Sequence, residues 1–279
     1  MAYKSILTIV TDPAGQAKQI DAAIAMARRE DAHLDVLCIG VDRTQTGYYY
    51  AGATAFIQQE TFERAQTEAK DAEAAVREKL GAEDIRWGVE SAVAQLGAMG
   101  GLVALRARFA DLVIQAKPYG DKAGQEAEAI VEAAMFEGHA PVLVVPEQGL
   151  DAEFGRRIVC GWNQGQEALN AIRAALPLLK AADMVDVAII DPPAHGAERA
   201  DPGASICQML VRHGAKAEVT VLAKTLPRVS DVLMRHVGDI DGDMVVMGAY
   251  GHSRFREAIM GGATRNMLEQ AKVPVLMAH

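Results

Sequence analysis

Val245-Val246-Met247-Gly248-Ala249-Tyr250-Gly251, running on through residues 252–260 into Gly261-Gly262-Ala263-Thr264-Arg265, is the stretch on which the fold turns. It opens as an apolar run of the length of a buried strand and stops at a glycine. A second glycine follows after two residues, and nine more lead to Gly261-Gly262, where the helical pattern of residues 263–270 begins. Apolar strand, glycine-bearing turn and amphipathic helix in that order are the building step of a parallel α/β sheet. Glycines at these points adopt positive φ and let an anion approach the backbone without meeting a Cβ. The helix start at Gly261 offers unpaired N–H groups and the positive end of a dipole. In a doubly wound sheet such a loop lies at the carboxyl end of a strand, where ligands bind at the switch in strand order.

Outward from this stretch, the chain reads twice. Lys4-Ser5-Ile6-Leu7-Thr8-Ile9-Val10 answers to Arg157-Ile158-Val159-Cys160-Gly161-Trp162, and each is followed by a polar turn and an Ala-rich helical pattern. The second strands, residues 33–39 and 184–190, match, as do Ala110-Asp111-Leu112-Val113-Ile114 and Gly242-Asp243-Met244-Val245-Val246. The halves close alike on Ala140-Pro141-Val142-Leu143-Val144 and Val273-Pro274-Val275-Leu276-Met277. Self-similarity at this spacing predicts two tandem Rossmann-like domains, residues 1–147 and 153–279, each an open five-stranded parallel sheet with helices on both faces. Weak third strands are expected near residues 85–89 and 218–222, and residues 147–153 read as the linker. The closing strands are apolar at the ends of their domains, so they are expected to pair with each other in an intramolecular pseudo-dimer. A homodimer and unnamed protein partners are further expectations. Residues 44–59, with Tyr48, Tyr49 and Tyr50, are an insertion of the first half. They read either as a flap over a hydrophobic edge or as an interface or ligand lid.

The 279 residues carry a net charge of −9, which gives a nucleic-acid backbone nothing to bind. Three scattered cysteines, Cys38, Cys160 and Cys207, form neither a disulfide framework nor a metal spacing and point to a reducing compartment. The chain runs straight into its first strand with no signal-peptide core, and no apolar stretch approaches the roughly 18 residues of a membrane span. A soluble cytoplasmic protein without nucleic-acid or membrane partners is expected.

Gly248, Gly251 and Gly261 match the Gly-x2-Gly-x9-Gly-(Ser/Thr) signature of the universal stress protein family. The turn Trp162-Asn163-Gln164-Gly165 and the closing Val273-Pro274-Val275-Leu276 resemble that family as well, and the resemblance covers the chain as its tandem two-domain type. It implies that ATP or another adenine nucleotide, alone or with magnesium, binds the C-terminal domain. The adenine is expected near Ile189 or Ile190 and the ribose near Asn163. The phosphates are expected over Gly248, Gly251, Gly261, Gly262, Ala263 and Thr264, with Met247 and His252 also among the cofactor-binding residues. Two positions depart from the family's pattern. Gly262 stands where a hydroxyl is usual, with Thr264 two residues on as a substitute, and Asn163 stands where aspartate is frequent.

The first half lacks the loop: Ala116 and Tyr119 stand opposite Gly248 and Gly251, and Glu126, Glu128 and Glu132 crowd the phosphate region. His252 reads as a protonated phosphate contact or a solvated loop residue, and Arg254 and Arg256 as a flexible clamp or a solvated face. No catalytic or metal-holding set is expected. The function expected is therefore a nucleotide-responsive stress module that acts through conformation and partners. The alternatives are a slow ATPase or nucleotidyl-transfer enzyme and a nucleotide-free scaffold.

Overall fold

The computed structural model describes residues 2–43, 54–120, 123–192, 201–249 and 262–279. Its contacts divide the chain into two compact units. The first holds Tyr3–Ala116 and Asp121–Ala140; the second holds Pro141–His279 together with Met1–Ala2 and Lys117–Gly120.

In the first unit four parallel strands run β3-β2-β1-β4: β1 (Ser5–Val10), β2 (His33–Asp42), β3 (Arg86–Gln95) and β4 (Leu112–Ala116). Around them lie α1 (Ala17–Glu30), α2 (Thr54–Leu80), α3 (Met99–Ala107) and α4 (Ala127–Glu132), the last continuing into a π-helical turn, Ala133–Glu137. Helix α1 forms because Ile20, Ala23, Ile24 and Ala27 fall on one buried face at helical spacing. It ends where Asp31 takes a left-handed conformation at φ 49. Helix α2 lies so closely on β2 that a Cβ at Gly40 would collide with the Ala65 carbonyl group, so glycine there is a packing requirement.

Strand β3 is twice the length expected from its sequence. It pairs with β2 from His33↔Arg86 to Asp42↔Gln95. As an edge strand it keeps Glu90 and Ser91 among half-exposed residues, so its apolar signal fades before its pairing does.

The second unit repeats the same winding with strands β6 (Arg157–Gly161), β7 (Met184–Ile190), β8 (Ala217–Leu222), β9 (Met244–Gly248) and β10 (Val275–Ala278), in the parallel order β10-β9-β6-β7-β8. Its helices are α5 (Gln166–Ala174), α6 (Leu176–Ala181), α7 (Ala204–Arg212), α8 (Val229–Asp239) and α9 (Ala263–Gln270). One helix was expected where α5 and α6 stand; Pro177, with no N–H to donate, sits in the first turn of α6 and marks the break.

The five strands expected of each sequence half are present. Strand β5 (Val142–Val145), fifth of the first sequence half, belongs to the second unit and pairs antiparallel with β10 through Val144↔Val275, Leu143↔Leu276 and Val142↔Met277. All four of its residues are buried. An apolar strand this short needs a partner edge, and β10 supplies one. The expected pairing of the two closing strands is thus present.

Candidate functional site

From β6 the chain steps to β7 and β8 on one side, then crosses back to β9 and β10 on the other. The connections after β6 and after β9 therefore diverge, and a crevice opens at the carboxyl ends of these two strands. The pairs Gly161↔Met247 and Gly161↔Ala188, with Trp162 N–H donating to the Ala188 carbonyl at 2.9 Å, bring the ends of β6, β7 and β9 to one level. Of the sequence-predicted residues, this gathers Asn163, Ile189, Ile190, Met247 and Gly248. Gly251, His252 and Gly261, like Arg254, Arg256 and Tyr48–Tyr50, lie outside the described residues.

Asn163 is exposed, and its Oδ1 accepts the Gly165 N–H at 2.9 Å, an Asx turn that opens α5. Ile189 and Ile190 point to opposite faces of β7, so they cannot share a role. Ile189 is buried; its Cδ1 would stand 2.7 Å from a Cβ at Gly203, where α7 begins. Ile190 is half-exposed and is the one available to a ligand. The Trp162 indole N–H is buried and lacks a hydrogen-bond partner among the described residues.

Gly248 has a reason of its own. A Cβ there would lie 2.5 Å from the Ala168 nitrogen and 2.7 Å from Glu167 C and Cγ. The first turn of α5 thus rests directly on the end of β9. Ala249, the next residue, is tied down as well. Ala249 N–H donates to the Ala278 carbonyl at 2.9 Å, His279 Nδ1–H donates to the Ala249 carbonyl at 3.0 Å, and Asn170 donates to the His279 carbonyl at 3.2 Å.

At the far end of the loop, Gly262 caps α9 with no side-chain cap bond, and no acid stands in the first helical turn. That leaves the dipole's positive end uncompensated by the helix's own side chains. Ala263 is exposed there, whereas Thr264 is 2% exposed and shares the buried face with Met267 and Leu268.

Residues 155–279 match the family described as "Universal stress protein family". The chain carries a universal stress protein domain. A 69-residue stretch is 33% identical to universal stress protein Slr1230 of Synechocystis, covering 25% of this chain and 23% of that one. The chain therefore spans about a quarter of the length of this curated relative. A universal stress protein from Archaeoglobus fulgidus superposes over 98% of this chain and 95% of its own, with a TM-score of 0.72 at 13% identity. One described as a putative universal stress protein, from Pseudomonas aeruginosa, covers 99% and 93%, with a TM-score of 0.60 at 16% identity. At these identities the likeness is one of fold.

Against the universal stress protein domain, the first unit shows how the same crevice is closed. Gln19 stands third in α1, as Ala168 does in α5. Its amide donates to Thr8 Oγ1 at 2.8 Å and to the Ile9 carbonyl at 2.7 Å, and accepts the Ala116 N–H at 2.8 Å. A buried glutamine thus bridges β1 to β4 where Ala168 and Gly248 meet in the second unit. Glu126, 4% exposed at the start of α4, accepts from Arg43 at 3.2 and 3.4 Å. Its carboxylate puts a negative charge beside a helix N-terminus without capping it by a hydrogen bond. A groove of about 590 Å³ between α1 and α2 carries Asp12, Glu68 and Asp71 against a single cation, Lys79, a net negative lining.

Three features were not foreseen from sequence. Glu167, in the first turn of α5, flanks Gly165 together with Asn163 Oδ1, and its carboxylate forms no ion pair or hydrogen bond among the described residues. An acid in the turn after the first strand was the available signal. Asp186, 2% exposed, accepts from Thr220 Oγ1 at 2.5 Å and from His236 Nε2 at 2.9 Å, joining β7, β8 and α8. No pattern along the chain links residues so far apart. The Arg265 guanidinium lies 5.1 Å from the centroid of the Tyr119 ring.

Two of the three cysteine thiols, Cys38 and Cys160, are buried. Burial, with the charge of Glu73 adding, pushes the Cys38 thiol up to about 12, and burial beside Asp186 raises Cys160 further. Among the described residues no group of three or more His, Cys, Asp or Glu is placed to hold a metal, and no helix is long and apolar enough to cross a membrane.

Proposed function

We propose that the universal stress protein domain binds an adenine nucleotide, ATP, and that the chain serves as a cytoplasmic binding module whose output is conformational and passed to protein partners. In this reading residues 153–279 are the binding domain, and residues 1–147 are a stress-protein-like domain whose own crevice is closed by Gln19 and Glu126. The observation that carries it is the switch in strand order between β6 and β9, together with the acid-free first turn of α9 on the connection that follows β9. Asn163 meets the ribose, Ile190 packs on the adenine, and the phosphates lie from Met247 and Gly248 to Gly262 and Ala263. The buried indole N–H of Trp162, without a partner among the described residues, adds a donor at the same edge.

Titration calorimetry of the purified chain with ATP tests the reading, alongside mass analysis of any nucleotide retained through purification. Gly261→Val is expected to weaken ATP binding at least tenfold by placing a side chain against the phosphates. Gly101→Ala is the neutral control, because nothing lies within 4 Å of its Cβ position. Equal ATP affinity in the parent and Gly261→Val sinks the assignment.

Glu167 favours a second reading, slow hydrolysis. It puts a carboxylate without an ion partner among the described residues beside Gly248, where it can orient a water or help hold a magnesium ion. Phosphate release above background that disappears in Glu167→Gln supports this reading; no release from the parent removes it.

A further inference from the structure

We propose that the free edge of β8 is a self-association surface, on which a second copy of this chain lays its own β8 antiparallel about a two-fold axis at Val221. The inference is independent of the nucleotide reading and concerns the edge of the second unit's sheet opposite to β10.

Strand β8 ends the order β10-β9-β6-β7-β8 and, among the described residues, pairs only with β7. The phase of that pairing decides which backbone groups are left over. The Lys216 carbonyl accepts the Val185 N–H at 2.8 Å, the Leu222 carbonyl accepts the Asp191 N–H at 3.0 Å, and the Lys224 N–H donates to Asp191 Oδ1 at 3.1 Å. Even-numbered residues thus turn their N–H and C=O toward β7, and odd-numbered ones turn theirs outward. Of the outward groups, the Ala217 carbonyl is taken by Cys207 Sγ at 3.4 Å. The Ala223 carbonyl accepts the Thr225 N–H at 2.8 Å and keeps a second lone pair. Val219 and Val221 hold the open ladder positions, and Val221 is 53% exposed. Strand β3, at the end of the first unit's order, is guarded instead: Arg77 donates to the Val89 carbonyl, and Arg86 and Glu90 are exposed along it. Strand β8, with Glu218 its one charged residue, lacks such a guard.

An antiparallel partner on this edge must set outward residues against outward residues, so only every second register is open. With the axis at Val221, that residue faces its own counterpart and Val219 faces Ala223. Glu218 then stands directly opposite Lys224, on both sides of the axis. Both residues are exposed, and neither side chain has a hydrogen bond or ion pair among the described residues. Moving the axis to Thr220 opposes Lys216 to Lys224, two like charges, and moving it to Leu222 opposes Glu218 to Leu226. Charge therefore selects the Val221 register. The chain closes the other edge of this sheet by the same device, with β5 antiparallel on β10.

The test is sedimentation equilibrium of the full chain for the parent, Val221→Pro, Glu218→Lys, Lys224→Glu and the swapped pair Glu218→Lys/Lys224→Glu. The parent is expected to dimerise reversibly. Proline at 221 removes an outward N–H that β7 does not use, so Val221→Pro is expected to be monomeric with a thermal midpoint close to the parent's. Each single charge change sets like charges opposite each other and is expected to weaken the dimer roughly tenfold, and the swapped pair to return it to within about threefold of the parent. Were Val221→Pro to unfold, the charge variants, whose side chains are exposed, decide the matter alone. A monomeric parent, a dimer untouched by a folded Val221→Pro, or a swapped pair no tighter than either single variant would overturn the proposal.

Discussion

A methyl group at Gly248 would stand 2.5 Å from the Ala168 nitrogen. No rotamer relieves that overlap, because the obstacle is backbone. Gly248→Ala must therefore push α5 off β9 or bend the strand, at a cost of about 1–3 kcal/mol of the kind that overpacking exacts. Urea unfolding should show the loss without any ligand present; an unchanged midpoint would mean that α5 does not rest on the strand as described. Gly120→Val is not an inert change either, since φ +115 strains any β-branched residue and Tyr119 is adjacent. Much of the candidate site was legible at this scale. Gly248 and Asn163 stand at strand ends whose positions follow from the apolar runs before them. The choice between Ile189 and Ile190 was not legible, because it depends on which face of β7 the neighbouring helix covers. The core placement of Thr264 depends likewise on the rotation of α9.

Among the elements, α8 is fastened to the sheet by a polar contact within an apolar layer. His236 on α8 meets Asp186 on β7, whose other oxygen takes the Thr220 hydroxyl on β8. Both Asp186 and His236 are buried, so removing one leaves the other uncompensated. His236→Phe is expected to cost about 3–5 kcal/mol. Replacing all three members together by apolar residues of similar size should cost less than the single change. Thermal or denaturant unfolding of the single and triple variants checks this; a single variant as stable as the parent would make the contact incidental. Periodicity found the elements themselves, since burial repeats along α1 and the central strands as the apolar pattern does. It shortened β3 and merged α5 with α6. An edge strand carries polar residues without losing its ladder, and Pro177 is tolerated in a first helical turn.

For the whole molecule, the repeat in the sequence and the division in space do not coincide. Strand β5 closes the first repeat yet lies within the second compact unit, against β10. A fragment of residues 153–279 would leave one edge of β10, four buried apolar or small residues long, without a partner. Such an edge recruits another chain. The fragment is expected to dimerise or aggregate in light-scattering measurements through β10, and residues 141–279, which retain Val142–Val145, to do so no longer through β10. A monomeric, well-folded 153–279 fragment would show that β10 does not need β5.

The close seating of α5 on β9 also bears on how such loops change over evolutionary time. On the proposed nucleotide reading, two selective pressures act on Gly248 through different atoms: the phosphate from outside, and the Ala168 backbone from within. A lineage that abandons its ligand keeps this glycine as long as the helix keeps its seat. It is released only when the helix finds another anchor, as Gln19 provides against Ala116. The first glycine of the signature is thus inherited with the architecture. Where descendants diverge in ligand, the record of that divergence will be written further along the loop and in the first turn of the helix that follows it.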